Sequence, residues 1–260
     1  MSVYAALVIT FIILSITAVG IWTLYVKTNN PSIIDMFWSV FFIIAFAGYF
    51  LMNRVTSFAV LNTFIMLLIW AARLSGYLWY TRVRHNHQDK RYNELASGYP
   101  GKEKWYYLFN FILQALFATL ISISFFFITQ YTTTHSTKFY VLTNAIFLFF
   151  VWCEFSADRQ LYQFQQAHQG QPAICDIGWW KYSRHPNYFF EWCIWCMFAF
   201  WAIESWASLL SLLSPLTLYL VMNVITAPIT EKSSLAHRGQ AYADYRARTN
   251  RFFPGVPRQL

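Results

Sequence analysis

Trp180-Lys181-Tyr182-Ser183-Arg184-His185-Pro186-Asn187-Tyr188-Phe189-Phe190-Glu191 is the stretch of this chain best equipped for chemistry. A basic, hydrogen-bonding loop runs through a proline into an apolar helix. Proline suits a first helical turn, where its missing N–H would be unpaired anyway. Helix N–H groups aimed back at Ser183, Arg184 and His185, with a guanidinium beside them, make an anion site, phosphate above all. Asn187 and Glu191 are four residues apart and share one helix face. The bland alternative is a loop whose Lys181 and Arg184 touch lipid headgroups.

Five ionisable positions interrupt apolar runs: Asp35, Arg73, Glu154, Asp158 and Glu191 itself. Such residues within membrane spans are costly, and they usually face the bundle interior for a functional reason. Glu154 and Asp158 are one turn apart, and Tyr162 continues their stripe; two acidic groups on one face suit sugar hydroxyls or an amide. Arg73 and Tyr77 form another pair one turn apart, and Asp35 opens its span with Trp38 one turn on. The competing reading is that these charges pair among themselves as structural glue.

The elements that must position them are membrane helices. The chain has 260 residues, 57% hydrophobic and 12% charged. A span needs about 20 apolar residues. Seven segments qualify: Val3–Val26, Ile33–Met52, Thr56–Tyr80, Trp105–Gln130, Phe139 to about Gln163, Tyr188–Ile203 and Trp206–Ala227. The last two could be one hairpin. The fold class is therefore an all-α polytopic membrane protein, read as a single domain over 1–260. The first segment is too long for a signal peptide and lacks a cleavage site.

Lys and Arg placement sets the orientation. With seven spans, one side holds Lys27, Arg82, Arg84, Lys90, Arg91, Lys102, Lys104, Arg159, Lys181, Arg184 and the basic C-terminal tail. The other holds Arg54 and Lys138. This imbalance places the basic side, and the C-terminus, in the cytoplasm. The net charge of +8 is then topological and gives no reason to invoke nucleic acid. Cys193 and Cys196 form a C-x-x-C inside an apolar helix without a second ligand pair, so packing explains them. His85 and His87 are a weak pair in a basic loop, and no metal is expected. No G-x-G-x-x-G or P-loop sequence occurs, which argues against a Rossmann or P-loop nucleotide site.

Polar content gathers in three pieces. They are the loop Thr81–Lys104 with its turn signal Gly98-Tyr99-Pro100-Gly101, the Gln-rich extension and loop Ala157–Ser183 with Gly170-Gln171-Pro172, and the tail from Glu231. The tail's period suggests an amphipathic helix to about Asn250.

Glu154-x-x-x-Asp158-x-Gln160, the Trp180–Glu191 stretch and the closing Glu231-Lys232…Tyr242-Ala243-Asp244-Tyr245-Arg246-x-Arg248-Thr249…Phe253-Pro254 together resemble one family. It is the bacterial relatives of steroid 5α-reductase, which share its C-terminal domain. The resemblance covers roughly Asp35 to Arg258 and is strongest after Trp152. It implies a cofactor-binding core over about 139–258 that holds NADPH. Glu154 and Asp158 would contact the adenosine or ribose side. Ser183, Arg184, Arg238, Tyr242 and Arg246 would hold phosphates, and Asn187 and Glu191 would orient the nicotinamide amide. The motif residues Tyr182, His185 and Tyr188 belong to the same implied site. The dense basic face suits the 2′-phosphate of NADPH better than NADH.

The implied activity is hydride transfer to a carbon–carbon double bond of a steroid- or lipid-like substrate drawn from the bilayer, among membrane lipids. Enone reduction needs a donor that stabilises the developing enolate; Asp35, Arg73 or Tyr77 could serve. The steroid enzymes place a Gln-Glu pair in the second span and a Tyr shortly before the third-span Arg. Here Asp35 and Trp38 stand in the second span, and Trp70 lies three residues before Arg73. Two other readings stay open: an S-adenosylmethionine-dependent membrane methyltransferase, and a non-enzymatic lipid-binding protein of the same fold. Localisation in a bacterial inner membrane follows from the resemblance; substrate identity and oligomeric state are left open.

Overall fold

The computed structural model describes residues 1–31, 33–83, 96–130, 135–169 and 171–259. Arg84, His85, His87, Lys90 and Arg91 of the first polar loop, and Gly170 of the second, lie outside the described residues. Among the described residues the structure is all-helical. Five helices are long and apolar enough to cross a membrane: Val3–Thr28, Ile33–Asn53, Phe58–Thr81, Thr137–Ala167 and Ala207–Arg248. Two expected spans take another form. Trp105–Gln130 is broken at Ser122, and the helix Pro186–Ala202 has 17 residues.

The chain divides into two compact units, Met1–Ser136 with Phe198–Thr217, and Thr137–Met197 with Leu218–Leu260. In the first unit, α1 (Val3–Thr28) starts at a Ser2 cap and ends at Asn29, whose φ of 53° turns the chain. α2 (Ile33–Asn53) and α3 (Phe58–Leu78, capped by Ser57) follow, with α3 continuing as a π turn over Trp79–Val83. α4 (Glu103–Ile121) and the short α5 (Ile123–Ile128) complete this part. The expected turn before α4 is present, with Tyr99 N–H on Ala96 O and Lys102 N–H on Tyr99 O.

Aromatic rings fill this core edge to face, Phe42 on Trp70 at 5.5 Å and Phe46 on Phe125 at 5.4 Å. Short polar groups link the helices within it. Ser39 and Ser75 pair at 2.6 Å, linking α2 to α3. At the α4–α5 break, Ser122 Oγ donates to Thr119 O at 2.9 Å and lies 3.2 Å from Tyr49 Oη. The break thus follows from a tertiary partner, with no Gly or Pro at the position.

The second unit holds α6 (Thr137–Ala167) and the first turns of α7 (Pro186–Ala202). It also holds the end of α8 (Leu213–Leu220), a π-helical segment Val221–Thr226, and α9 (Ala227–Arg248). The Gln-rich extension is helical through Ala167, as its sequence suggests. The tail helix is kinked at Gly239, whose φ 55°, ψ −131° belong to a region essentially reserved for glycine. A single amphipathic helix to Asn250 is therefore replaced by two pieces ending at Arg248.

Candidate functional site

The loop before α7 is held down by its own aromatic and polar side chains. Trp180 Nε1 donates to Ala157 O at 2.9 Å, and the Trp179 N–H donates to Gln160 Oε1 at 3.0 Å. Gly178, at φ 54°, passes so close to Gln160 that a Cβ there would collide with it. Tyr245 Oη of α9 donates to the Trp180 carbonyl and lies 3.3 Å from that of Ser183.

The tail then runs alongside the loop. Arg184 N–H donates to Asn250 O at 2.8 Å, His185 N–H to Arg251 O at 3.1 Å, and Gly255 N–H to Tyr182 O at 3.0 Å. Ser183, fully buried, points its hydroxyl at Arg251 O and Phe252 O, 3.1 and 2.9 Å away. Arg184 is almost completely buried and fully engaged. Its Nε reaches Glu231 Oε1 at 2.8 Å, and its Nη1 reaches the carbonyls of Arg246 at 2.9 Å and Thr249 at 2.6 Å. Glu231 also receives His185 Nε2 at 3.3 Å and Arg251 Nη2 at 3.1 Å.

Loop and tail are thus joined at the residues that the sequence marks as an anion site. The loop N–H groups of Arg184 and His185 and the Arg184 guanidinium bond to acceptors from α9 and the tail. Ser183 and Arg184 act here as the joint between loop and tail. Burial pushes the His185 imidazole below its ordinary pKa, an effect opposed by Glu231 and reinforced by Arg184 and Arg251. The ring stays neutral and stacks on Tyr188, centroids 5.1 Å apart.

A second cluster lies where α6 and α7 meet the loop. Asn187 Nδ2 donates to Asp158 Oδ1 at 3.0 Å, while Asn187 Oδ1 accepts the Tyr188 N–H at 3.1 Å. The amide is thus fixed at both ends. Asp158, Glu154 one turn before it and Glu191 one turn after Asn187 are all buried. Glu191 Oε1 accepts the indole N–H of Trp195 at 2.9 Å. Buried carboxyl groups among apolar helices are expensive, which makes this grouping the candidate site of the C-terminal unit.

On α9, Tyr242 is buried within electrostatic reach of Glu231, Arg184, Arg238 and Arg246. Arg238 is half-buried, with Nη1 on Ser234 Oγ at 3.1 Å, and Arg246 is exposed. These two cations can meet an anion that Arg184 cannot. Tyr182 is 40% exposed and gives its carbonyl to the tail.

The proposed proton donors belong to the other unit. Asp35 sits in the first turn of α2, and Arg73 lies over the Tyr77 ring on α3 at 5.9 Å. Trp70 is fully buried against Phe42, so it serves the core of that unit. Sequence reasoning missed the role of Glu231 as the hub of the loop–tail joint. Its partners lie 20 to 47 residues away, and no local spacing signals them.

Helices, buried carboxylates and a basic tail define an all-helical polytopic membrane protein with a buried polar network in its C-terminal unit. The chain belongs to the DUF1295 family, proteins of unknown function, whose model matches residues 21–249. That family is steroid 5α-reductase-like. No curated protein and no solved structure matches the chain.

Proposed function

We propose that the protein is an NADPH-dependent membrane reductase that transfers hydride to a carbon–carbon double bond of a steroid- or lipid-like substrate. The observation that carries this reading is the fixed Asn187 amide beside buried Asp158, Glu154 and Glu191. That donor and acceptor set fits a nicotinamide carboxamide and ribose hydroxyls. Arg238 and Arg246, with Tyr242 between them, fit the phosphates, which the committed Ser183 and Arg184 do not. NADPH, when bound, supplies the hydride. Asp158 orients Asn187, and Asn187 and Glu191 would hold the carboxamide in one rotamer. Arg73 and Tyr77 would present hydrogen-bond donors to a substrate oxygen, and Asp35, if protonated, would return the proton.

One observation favours keeping a second reading. With Ser183 and Arg184 committed to the tail, the phosphate set is smaller than the sequence suggests, which lessens the contrast with an S-adenosylmethionine site. Such a site needs an acceptor for the cofactor's amine, and Glu231, which could supply it, is itself bonded to Arg184, His185 and Arg251.

The test is the melting temperature of detergent-purified protein with NADPH, NADH, S-adenosylmethionine and S-adenosylhomocysteine. A ligand at about 100 times its dissociation constant stabilises the fold by roughly 2.7 kcal/mol. A shift with NADPH that 2′,5′-ADP competes away supports the reductase. A shift with the sulfonium pair alone overturns it in favour of methyl transfer, and silence from all four favours a lipid-binding protein.

A further inference from the structure

The last turn of α8 and the π-helical segment Val221–Thr226 that follows it share a polar pair that neither reading above uses. Thr226 Oγ1 donates to Val221 O at 3.1 Å across the widened turn. Single π turns inside helices recur at functional sites. One turn apart, Tyr219 and Asn223 face each other, and Asn223 Nδ2 donates to the Tyr219 phenol oxygen at 3.0 Å. The phenol oxygen accepts that bond, so its own hydrogen can be donated elsewhere. Asn223 Oδ1 is buried and has no hydrogen-bond partner among the described residues. Turning the amide round exchanges the two roles and still leaves one donor and one acceptor.

Aromatic rings wall this pair. Tyr219 lies 5.0 Å from Phe252, 6.1 Å from Phe253 and 6.4 Å from Trp192, centroid to centroid. Phe253 is 51% exposed, so the wall opens outward. Leu220, Val224 and Ile225 beside it are exposed apolar residues on a helix long enough to cross a membrane. A polar pair at such a position, with an acceptor left over, is poorly explained by packing.

We propose that Tyr219 and Asn223 form a binding site for the hydroxyl group of a membrane-borne amphiphile, with its apolar body against Trp192 and Phe253. An alcohol complements both groups at once, since its oxygen accepts one bond while its hydrogen makes the other. A ketone or ether only accepts, and leaves the protein's acceptor unpaired. A carboxylate offers acceptors alone and adds a charge beside the orphan oxygen. The site stands on contacts within the C-terminal unit and does not depend on the reductase reading.

The experiment is equilibrium binding of tritiated probes to the full chain in mild detergent. The probes are 5α-cholestan-3β-ol against 5α-cholestan-3-one, and hexadecan-1-ol against its methyl ether. We expect saturable binding, with each alcohol bound about tenfold more tightly than its matched partner, the value of one net hydrogen bond. Tyr219→Phe and Asn223→Leu should each erase that preference, and Tyr219→Phe keeps the ring packing. Equal affinities for alcohol and partner in the wild type, no saturable binding of either alcohol, or a preference that survives both substitutions would overturn the proposal. The wild-type comparison needs no variant to fold.

Discussion

The two compact units handle buried polarity in opposite ways. In Met1–Ser136 with Phe198–Thr217, the hydrogen bonds that link helices join neutral hydroxyls and amides, as in Ser39 with Ser75 and Asn53 with Thr129. In the C-terminal unit the links between elements include buried full charges, as in Glu231 with Arg184, His185 and Arg251. Hydroxyls satisfy a helix bundle cheaply, whereas charges demand dedicated partners. The comparison teaches where specificity was placed. The first unit is an aromatic-filled helix bundle carrying Asp35, Arg73 and Tyr77. The second carries a dense polar network that joins loop to tail and includes the residues of the proposed cofactor site.

The largest effect should come from breaking the charge hub. Glu231→Gln leaves Arg184 buried without its counter-charge, which costs about 3–5 kcal/mol when one partner of a buried pair is removed. Denaturant or thermal unfolding in detergent would read this as a large fall in stability; a change under 1 kcal/mol would mean the hub is not what holds the tail. The figure rests on Arg184, only 8% exposed, since Arg251 is 39% exposed. Next comes the kink. Gly239→Ala meets no neighbour at its new Cβ, so its whole cost is backbone strain, about 1–3 kcal/mol. Proteolysis of the tail should accelerate, and a variant as resistant as wild type would show that the kink relaxes freely.

In the first unit the same kind of test should do little. Ser39→Ala removes one hydroxyl while Ser75 still donates to Met36 O at 3.1 Å, and should cost about 0.5–1.5 kcal/mol. A loss as large as that of Glu231→Gln would erase the contrast between the units. The smallest effect concerns pH. The folded His185 pKa lies below its ordinary value near 6.5. The neutral ring's contribution is therefore complete above that value and is lost as pH falls below it. Protease sensitivity of the tail should rise between pH 7 and pH 5 in wild type and rise less in His185→Asn. Equal pH dependence in both would remove His185 from the joint.

Much of the bundle is legible in the sequence, and much of the joint is not. Ile33–Asn53 begins at the expected residue and ends one residue past the expected Met52, because its apolar run is continuous and the chain turns back at Arg54, with φ 55°. Pro186 opens its helix as its chemistry dictates. The break at Ser122 has no local breaker and depends on Tyr49, more than seventy positions earlier. Gly239 did carry a signal, a lone glycine in a polar helix, but an isolated glycine is often tolerated there. Residue types alone cannot show that Arg184 in the basic loop bonds to Glu231 and to tail carbonyls, because these lie 47 and more positions away. Asp158 and Asn187 could be named but not paired, since 29 positions separate them.

The most direct test of the account is a titration of NADPH against wild-type protein and Asn187→Ala in the same detergent, with melting temperature confirming that both are folded. The account predicts saturable binding to wild type and at least about a tenfold loss in the variant, the value of one or more lost hydrogen bonds to the carboxamide. Unchanged NADPH affinity in Asn187→Ala, or no saturable binding to wild type, would contradict it.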